Sequence, residues 1–432
     1  MEWIDVLVLV VTFAGLLALG MPIAYSIGLA AVATMLVDFP VGLALNTTAQ
    51  RMAAGLDSFA LLAIPFFILA GQLMNRGGLA RRLIDFAKSI LGILPGGLAH
   101  VNIAGAMLFG AISGSAVAAA SAIGGVMGPR MEEEGYDRDF SAAVNITSAT
   151  TGLLIPPSNV LIVYSLATGG VASVAALFLA GYLPGILVGL ALMVVAAVYA
   201  SRNKYPVSGR VSTMEVLKNF VRALPSLFML IVVIGGIVKG VFTATEAAAV
   251  AVLYALILAF IYREISLKDL PQIVLEASAT TGIVMLLIAT SISMSWIMAY
   301  ADIPQSVSEA LVALSDNKFV ILLMINLILL AVGTFMDMTP AVLIFTPIFL
   351  PIAEGLGLHP VHFGIVMVLN LSIGLCTPPV GSVLFVGVGV AQTTIARVVR
   401  PLMPLFIAMI IALFVVTYVP VLSMWLPAIF GV

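Results

Sequence analysis

The stretch AISGSAVAAASAIGGVMGPR, residues 111–130, is the most informative part of the sequence. It is too apolar for a loop in water, yet its serines and glycines interrupt it too often for an ordinary membrane helix. The chain has no Lys, Arg, Asp or Glu between Lys88 and Arg130. SGS at 113–115 divides this region into arms of roughly 15 residues, short of the ~20 that one crossing needs. We therefore predict a re-entrant helical hairpin over 99–129.

The composition makes lipid the solvent of most of the chain. Of its 432 residues, 62% are hydrophobic and 9% are charged, and the mean hydropathy is +1.22. So few polar residues cannot cover a surface in water, which predicts an all-α polytopic membrane protein. With about 20 residues for each crossing, ten crossings are predicted, at 3–19, 22–37, 59–75, 139–167, 173–200, 223–239, 243–261, 281–301, 361–392 and 400–422.

The same composition excludes several classes of protein. A net charge of −2 without a basic patch gives no basis for binding nucleic acid, and the single Cys376 rules out a disulfide within the chain. Three histidines are too few for a typical zinc cluster, although His359 and His362 lie three residues apart and are the one candidate metal pair. No histidine or carboxylate pair is predicted at membrane depth, so we expect neither an enzyme nor a covalent cofactor.

The basic residues predict the orientation. If the N-terminus faces outward, 15 of the 18 Lys and Arg residues lie on the cytoplasmic side, and only Arg51, Lys239 and Lys318 lie outside. This asymmetry follows the positive-inside rule. We therefore expect both termini to face outward.

The chain also contains an internal repeat. Three landmarks recur 222 residues apart: Pro156-Pro157 and Pro378-Pro379, Pro129 and Pro351, and Ser115 and Asp337. The polar stretch 201–222 divides the chain into halves 1–200 and 223–432, each with five crossings. Because five is odd, the second half enters the membrane from the opposite face. Inverted repeats with interrupted helices are typical of secondary transporters, whose binding site lies near the membrane midplane.

The second half has its own interrupted segments. Asp337 is the only charged residue between Lys318 and Glu354, and it predicts a second re-entrant hairpin over 319–353. The double prolines remove backbone donors, so residues 150–159 and 372–382 are predicted to be unwound inside the crossings 139–167 and 361–392. The alternatives are small-residue packing at the first tip, a surface loop at Asp337, and helix kinks without a ligand.

Each hairpin tip is expected to face the broken helix of its own repeat. Backbone carbonyls and hydroxyls at such points are tolerated at membrane depth only where they line a site, and oxygen ligands of this kind suit a small hard cation such as sodium. Asp337 would add a full negative charge. The residues brought together are Ser113, Gly114, Ser115, Gly152, Ile155, Pro157, Ser158 and Asn159 in the first cluster, and Gly333, Asp337, Thr339, Gly374, Thr377 and Val380 in the second.

The motifs SGSA, IPPSN, MDMTP and CTPPVG, in this order, resemble the large membrane subunit (M, DctM-like) of tripartite ATP-independent periplasmic (TRAP) transporters. The resemblance implies a sodium-driven elevator importer of an organic acid, such as a dicarboxylate or a sialic acid, in a bacterial or archaeal inner membrane with both termini periplasmic. It further implies two or more coupled Na+ ions. Its partners would be a small four-helix membrane subunit (Q), expected as a separate chain since no such segment precedes Met1, and a periplasmic substrate-binding protein (P).

The same resemblance implies which residues form the sites. The first sodium site corresponds to Ser113, Gly152, Ile155 and Pro157. The second corresponds to Gly333, Asp337 and Thr377. Ser115 and Ser158 are expected near the substrate, and we place Asn159 and Thr339 beside them. Because no Lys or Arg lies in the hairpins or broken helices, an anionic substrate would be held by helix N-termini, hydroxyls and the bound sodium ions.

Two amphipathic runs support an elevator. LARRLIDFAKSILGIL from Leu79 and IPQSVSEALVAL from Ile303 each precede a hairpin and are predicted to be interfacial helices that connect a moving domain to a fixed one. Simple loop helices are the alternative. For the whole chain, a stand-alone sodium- or proton-coupled carboxylate carrier is the main alternative function; a channel would not need the inverted repeat.

Overall fold

The computed structural model of the chain describes residues 2–92, 94–205, 212–315 and 317–432. Within these ranges the regular structure is entirely helical. The first half contains α1 Glu2–Ala18, α2 Ile23–Asp38, α3 Val41–Leu56, α4 Ala63–Arg76, α5 Leu79–Leu91, α6 Gly97–Ser113, α7 Ala116–Glu133, α8 Arg138–Thr151, α9 Asn159–Ala167 and α10 Val174–Arg202. The second contains α11 Thr213–Val238, α12 Ala244–Ile261, α13 Leu270–Tyr300, α14 Ile303–Leu314, α15 Lys318–Phe335, α16 Met338–Gly355, α17 Pro360–Gly374, α18 Ser382–Val390, α19 Ile395–Tyr418 and α20 Val421–Phe430.

The helices confirm the all-α membrane fold, with several differences in detail. Eight described helices are long and apolar enough to cross a membrane, or nine if the bent pair 138–154 and 159–167 is one span. α1, α2 and α17 are shorter apolar helices at three of the ten predicted crossings. Two helices, α3 and α20, were not predicted. α11 begins inside the predicted linker 201–222, and linker residues 206–211 lie outside the described residues.

Both predicted hairpins are pairs of helices broken at the predicted tips. α6 and α7 are separated at Gly114 and Ser115, and α15 and α16 at Met336 and Asp337. The arms of the first hairpin contain 17 and 18 residues, more than predicted, because α6 begins at Gly97 and α7 continues through Pro129 as far as Glu133. The re-entrant path of the hairpins stays a prediction, since α15 and α16 are each long enough to cross.

The unwound segments are shorter than predicted. α8 continues to Thr151 and passes into a 3-10 turn, Gly152–Leu154, so only 155–158 lacks helical structure; in the second half the break covers 375–381. Hydroxyls near the end of α8 bond back to it: Thr150 donates to the Thr147 carbonyl at 2.9 Å and Thr151 to the Ser148 carbonyl at 2.6 Å. These bonds supply partners within the chain for carbonyls near the helix end. The first break therefore begins one residue before Pro156, and the second begins three residues before Pro378.

The helices form two groups, and each group draws on both halves of the chain. Helices α1–α4 pack with α11–α13, and helices α6–α10 pack with α15–α20. The amphipathic helices α5 and α14 contact members of both groups, as expected of connecting arms. The division of the chain into inverted repeats at 1–200 and 223–432 stays a prediction.

The broken helices form the centre of the second group. Every residue is buried from Phe140 to Thr151 in α8 and from Val361 to Gly374 in α17. A helix buried on all sides is held by packing along its whole length. The hydroxyl of Tyr164 in α9 donates to the carbonyl of Pro360 at the start of α17, at 2.8 Å, and so connects the two broken helices directly. The end of the first broken helix is thus joined to the start of the second.

Candidate functional site between the two helix groups

A cavity of about 340 Å³ lies where the two helix groups meet, and both hairpin tips reach it. The second group contributes residues of the first tip, the second tip and the start of α9; the first group contributes α4 and α13. Six residues of the predicted clusters line the cavity: Ser113, Gly114, Ser115, Asn159, Asp337 and Thr339. We call it the central cavity. One chamber therefore joins two tips that the sequence places 222 residues apart.

The first tip is uncharged and internally hydrogen-bonded. Gly114 has φ +64°, and a Cβ atom there would lie 2.6 Å from Nδ2 of Asn159, so both its backbone conformation and its neighbour require glycine. The Ser115 hydroxyl accepts a bond from the Ala118 amide at 3.2 Å and caps α7. The Ser113 hydroxyl donates to the Ser115 carbonyl at 3.3 Å. Both serines are thus held in place before any ligand binds.

Asn159 brings an unpaired acceptor to the same place. It is the first residue of α9, and its Oδ1 atom is buried without a hydrogen-bond partner. A buried polar atom without a partner costs roughly 1–3 kcal/mol. Because Asn159 lines the central cavity, a ligand or cation bound there would supply the missing partner.

The second tip carries the charge. Asp337 occupies the N-cap position of α16, but its side chain makes no capping bond. It is accessible from the central cavity, and no Lys or Arg is among the lining residues. Within the described part of the chain, none of the four ion pairs includes it. The positive end of the α16 dipole offsets only part of the charge, which leaves the second tip with a net negative charge.

Behind each tip, two backbones approach closely at a pair of glycines. A Cβ atom at Gly152 would lie 2.5 Å from the Cα of Gly110, and one at Gly374 would lie 2.5 Å from the Cα of Gly333. Both neighbouring Pro-Pro bonds, Pro156-Pro157 and Pro378-Pro379, are cis. The glycines let each hairpin arm contact the backbone of its broken helix.

The other predicted site residues do not line the central cavity. Ser158 is buried and donates to the Leu153 carbonyl at 2.5 Å, and Thr377 donates to the Ile373 carbonyl at 2.8 Å. The remaining four lie in the breaks or at the glycine contacts: Gly152, Ile155, Pro157 and Gly333. Their roles as sodium or substrate ligands stay predictions.

The opposite wall contains polar residues that sequence reasoning missed. Gln72 and Asn75 on α4 and Thr280 on α13 line the central cavity from the first helix group. Their signal was present, because Gln72 and Asn75 are polar residues at the end of the predicted crossing 59–75. Polar positions on continuous helices such as α4 and α13 carry no helix interruption to mark them as part of a site.

The candidate metal pair has other roles. His359 caps α17 by accepting from the Val361 amide at 3.2 Å, and buried His362 lies 2.6 Å from the Ser423 hydroxyl. Within the described ranges, no group of three or more His, Cys, Asp or Glu residues is placed to hold a metal ion.

Comparison with known proteins adds independent information. A family model described as "Tripartite ATP-independent periplasmic transporter, DctM component" matches residues 10–422. The YgiK protein of Salmonella typhimurium is 57% identical over 99% of the chain and 98% of its own length. The isethionate TRAP transporter permease protein DctMQ of Oleidesulfovibrio alaskensis is 42% identical over 98% of the chain and 67% of its own length.

Two further similarities extend the picture. The C4-dicarboxylate TRAP transporter large permease protein DctM of Pseudomonas aeruginosa is 40% identical over 93% of both chains. Among solved structures, the YdaH transporter of Alcanivorax borkumensis matches with a TM-score of 0.64 over 90% of this chain and 89% of its own. At 14% identity, this last match supports the fold alone.

Proposed function

Because the chain belongs to the DctM family of tripartite ATP-independent periplasmic transporters, we propose that it imports an organic acid by coupling it to sodium ions. Members of this family are permeases, in agreement with the prediction of a transporter rather than an enzyme. The family also places the chain in a bacterial membrane as a multi-pass protein.

The observation that carries the sodium proposal is the unbalanced charge at the second tip. Among the described residues that line the central cavity, Asp337 alone is charged, and it is joined there by the unpaired oxygen of Asn159 and by the first tip. A carboxylate with hydroxyl, amide and carbonyl oxygens suits a small hard cation. Moving one charge across the membrane yields roughly 2.3 kcal/mol per 100 mV, so two sodium ions would supply roughly 4.6 kcal/mol before their concentration gradient is counted.

An organic anion fits the rest of the cavity. Ser115, Thr339, Gln72, Asn75 and Thr280 offer uncharged polar groups, and bound sodium would supply the positive charge that the lining lacks. Relatives carry names that specify C4-dicarboxylate, sialic acid and 2,3-diketo-L-gulonate, all of which are organic acids. We therefore place the acid between the two tips and the wall formed by α4 and α13.

The architecture supports an elevator in which the second helix group moves against the first. The central cavity lies between the groups, so a displacement of one would carry both tips with it. Arms α5 and α14 contact both groups and would accommodate the movement. We propose that the moving unit works with a small four-helix membrane subunit and with a periplasmic protein that delivers the acid.

The proposed orientation places both termini in the periplasm. Ser201 at the end of α10 would then face the cytoplasm, while Asn317 before α15 would face the periplasm; both residues are exposed. Single cysteines introduced at the two positions, in a Cys376→Ser background, should label with a membrane-impermeant thiol reagent from opposite sides. Labelling of both from one side would contradict the orientation and the inverted repeat together.

Reconstitution tests the function directly. Proteoliposomes containing this chain and its four-helix partner, with the liganded binding protein outside, should accumulate labelled acid when an inward sodium gradient is imposed. A potassium gradient of equal size should drive none, and omission of any one component should abolish uptake. Saturable uptake of free acid by this chain alone would instead support a stand-alone carrier.

A further inference from the structure

A second cavity, of about 280 Å³, lies at the same boundary between the helix groups. The first group contributes Arg51 on α3 and one face of α13, and the second contributes the end of α9 and part of α16. Its lining residues are Arg51, Leu166, Ala167, Ser291, Ile292, Ser295, Trp296, Ala299 and Leu343. We call it the outer cavity because Arg51 is one of the three basic residues predicted to face outward.

The two cavities follow one another along three shared helices. On α13 the central cavity is lined as far as Leu287 and the outer cavity begins at Ser291, about 6 Å further along the helix axis. On α9 and α16 the central cavity is lined by the first turns, whereas the outer cavity is lined by later residues. The outer cavity therefore lies at the boundary between the helix groups, on the predicted periplasmic side of the central cavity.

The chemistry of the outer cavity complements that of the central one. Its lining contains the exposed cation that the central cavity lacks: the guanidinium carbon of Arg51 lies 5.1 Å from the ring centroid of Trp296. Within the described part of the chain, Arg51 is in none of the four ion pairs. Ser291 is 1% exposed, and its hydroxyl has no hydrogen-bond partner.

We infer that the outer cavity binds a carboxylate group, with Arg51 as its counter-ion and Ser291 as a hydroxyl donor. A guanidinium group binds a carboxylate through two parallel hydrogen bonds, and the Trp296 ring holds it over the cavity. The cavity would receive the acid on its way to the central cavity, and this role rests on the proposed function. Binding of a carboxylate in the outer cavity does not rest on the proposed function, so carboxylate binding and transport can be tested separately.

The neighbouring tryptophan provides the measurement. The chain has three tryptophans, so Trp3→Phe and Trp425→Phe leave Trp296 as the only reporter. The protein, in phosphatidylcholine nanodiscs, is titrated with succinate, a C4-dicarboxylate, and in parallel with succinamide, its uncharged analogue. Succinate should change the Trp296 emission saturably at constant ionic strength, and succinamide should not.

Variants of Arg51 and Ser291 test whether these side chains bind succinate. Arg51→Gln should weaken succinate binding at least tenfold, Arg51→Lys should weaken it less, and Ser291→Ala should weaken it severalfold. Lys239→Ala removes another basic residue predicted to face outward, at the exposed end of α11, and should leave binding unchanged. Equal responses to succinate and succinamide, or an unchanged dissociation constant in Arg51→Gln, would overturn the inference.

A parallel uptake assay separates the inference from the proposed function. In reconstituted vesicles Arg51→Gln should lower the initial rate of acid uptake at least tenfold, while its affinity for the binding protein equals that of the wild type. If the wild type binds succinate through Arg51 but no component set drives sodium-dependent uptake, the proposed function fails and the carboxylate site stands. If Arg51→Gln loses the binding protein instead, Arg51 contacts that partner and the inference fails.

Discussion

The two hairpin tips occupy equivalent places around the central cavity but differ in how their polar groups are satisfied. At the first tip, Ser115 caps α7 and Ser113 bonds to the adjacent backbone. At the second tip, Asp337 stands at the same position of α16 without a capping bond. The hydroxyls of the first tip are bonded within the protein, whereas the second tip carries a charge that none of the ion pairs among the described residues balances.

The difference indicates that the two tips have different roles in transport. A neutral tip with fixed hydroxyls presents oriented donors and acceptors, as recognition of a substrate requires. A tip with an uncompensated carboxylate at low dielectric is more stable with a cation bound, so its occupancy depends on the ion concentration. On this account the second tip responds chiefly to sodium and the first chiefly to the acid.

The largest expected effect follows from removing the charge of the second tip. Asp337→Asn keeps the size of the side chain but loses an ionic interaction of roughly 2–3 kcal/mol, which corresponds to roughly a 30–150-fold higher sodium concentration for half-maximal uptake. This sodium concentration is measured by titrating uptake with sodium at fixed membrane potential. Asp302→Asn removes an exposed carboxylate outside the central cavity and should leave the midpoint unchanged. If the sodium concentration for half-maximal uptake were unchanged in Asp337→Asn, the two tips would not differ in sodium binding.

The second-largest effect is expected at the close glycine contacts behind the two tips. Gly152→Ala and Gly374→Ala each place a methyl group 2.5 Å from a backbone carbon of the neighbouring hairpin arm, which should cost about 1–3 kcal/mol. Thermal unfolding in detergent should show similar losses for both. Gly125→Ala, where nothing lies within 4 Å, should be neutral or stabilise by about 0.5–1 kcal/mol. A loss at only one of the two glycines would show that the hairpins are not packed equivalently.

The smallest effect is expected at the first tip. Ser115→Ala removes a hydroxyl that lines the central cavity; loss of one hydrogen bond to the acid, worth about 1 kcal/mol, should raise the acid concentration for half-maximal uptake roughly fivefold. The sodium midpoint should stay that of the wild type. A sodium shift as large as that of Asp337→Asn would mean that both tips serve the same ion site.

Much of this fold is readable from the sequence because its interruptions are chemically distinct. SGS and Asp337 stand out in apolar surroundings, and the double prolines cannot continue a helix, so both hairpin tips and both breaks are found where predicted. The convergence of Ser115 and Asp337 at one cavity was not predicted, because the sequence predicts each tip to face the broken helix of its own repeat.

The missed features lack such a signal. α3, with Asn46, Gln50 and Arg51 among its apolar residues, is too polar to be recognised as a crossing and is held by packing on α13. Gln72 and Thr280 belong to the site only because the two helix groups meet there. The sequence around each residue does not predict that meeting. The end of α8 at Thr151 lies beyond its predicted end, and the hydroxyls of Thr150 and Thr151 bond to carbonyls that the sequence does not identify.

The most direct test of the account is sodium binding by this chain without its partners. Bound sodium should raise the unfolding temperature of the purified protein, since a ligand at about 100 times its dissociation constant stabilises by about 2.7 kcal/mol. We predict stabilisation of the wild type by sodium chloride but not by potassium chloride of equal ionic strength, and loss of most of it in folded Asp337→Asn. Equal stabilisation of the wild type and Asp337→Asn by sodium would contradict the assignment of the ion to the second tip.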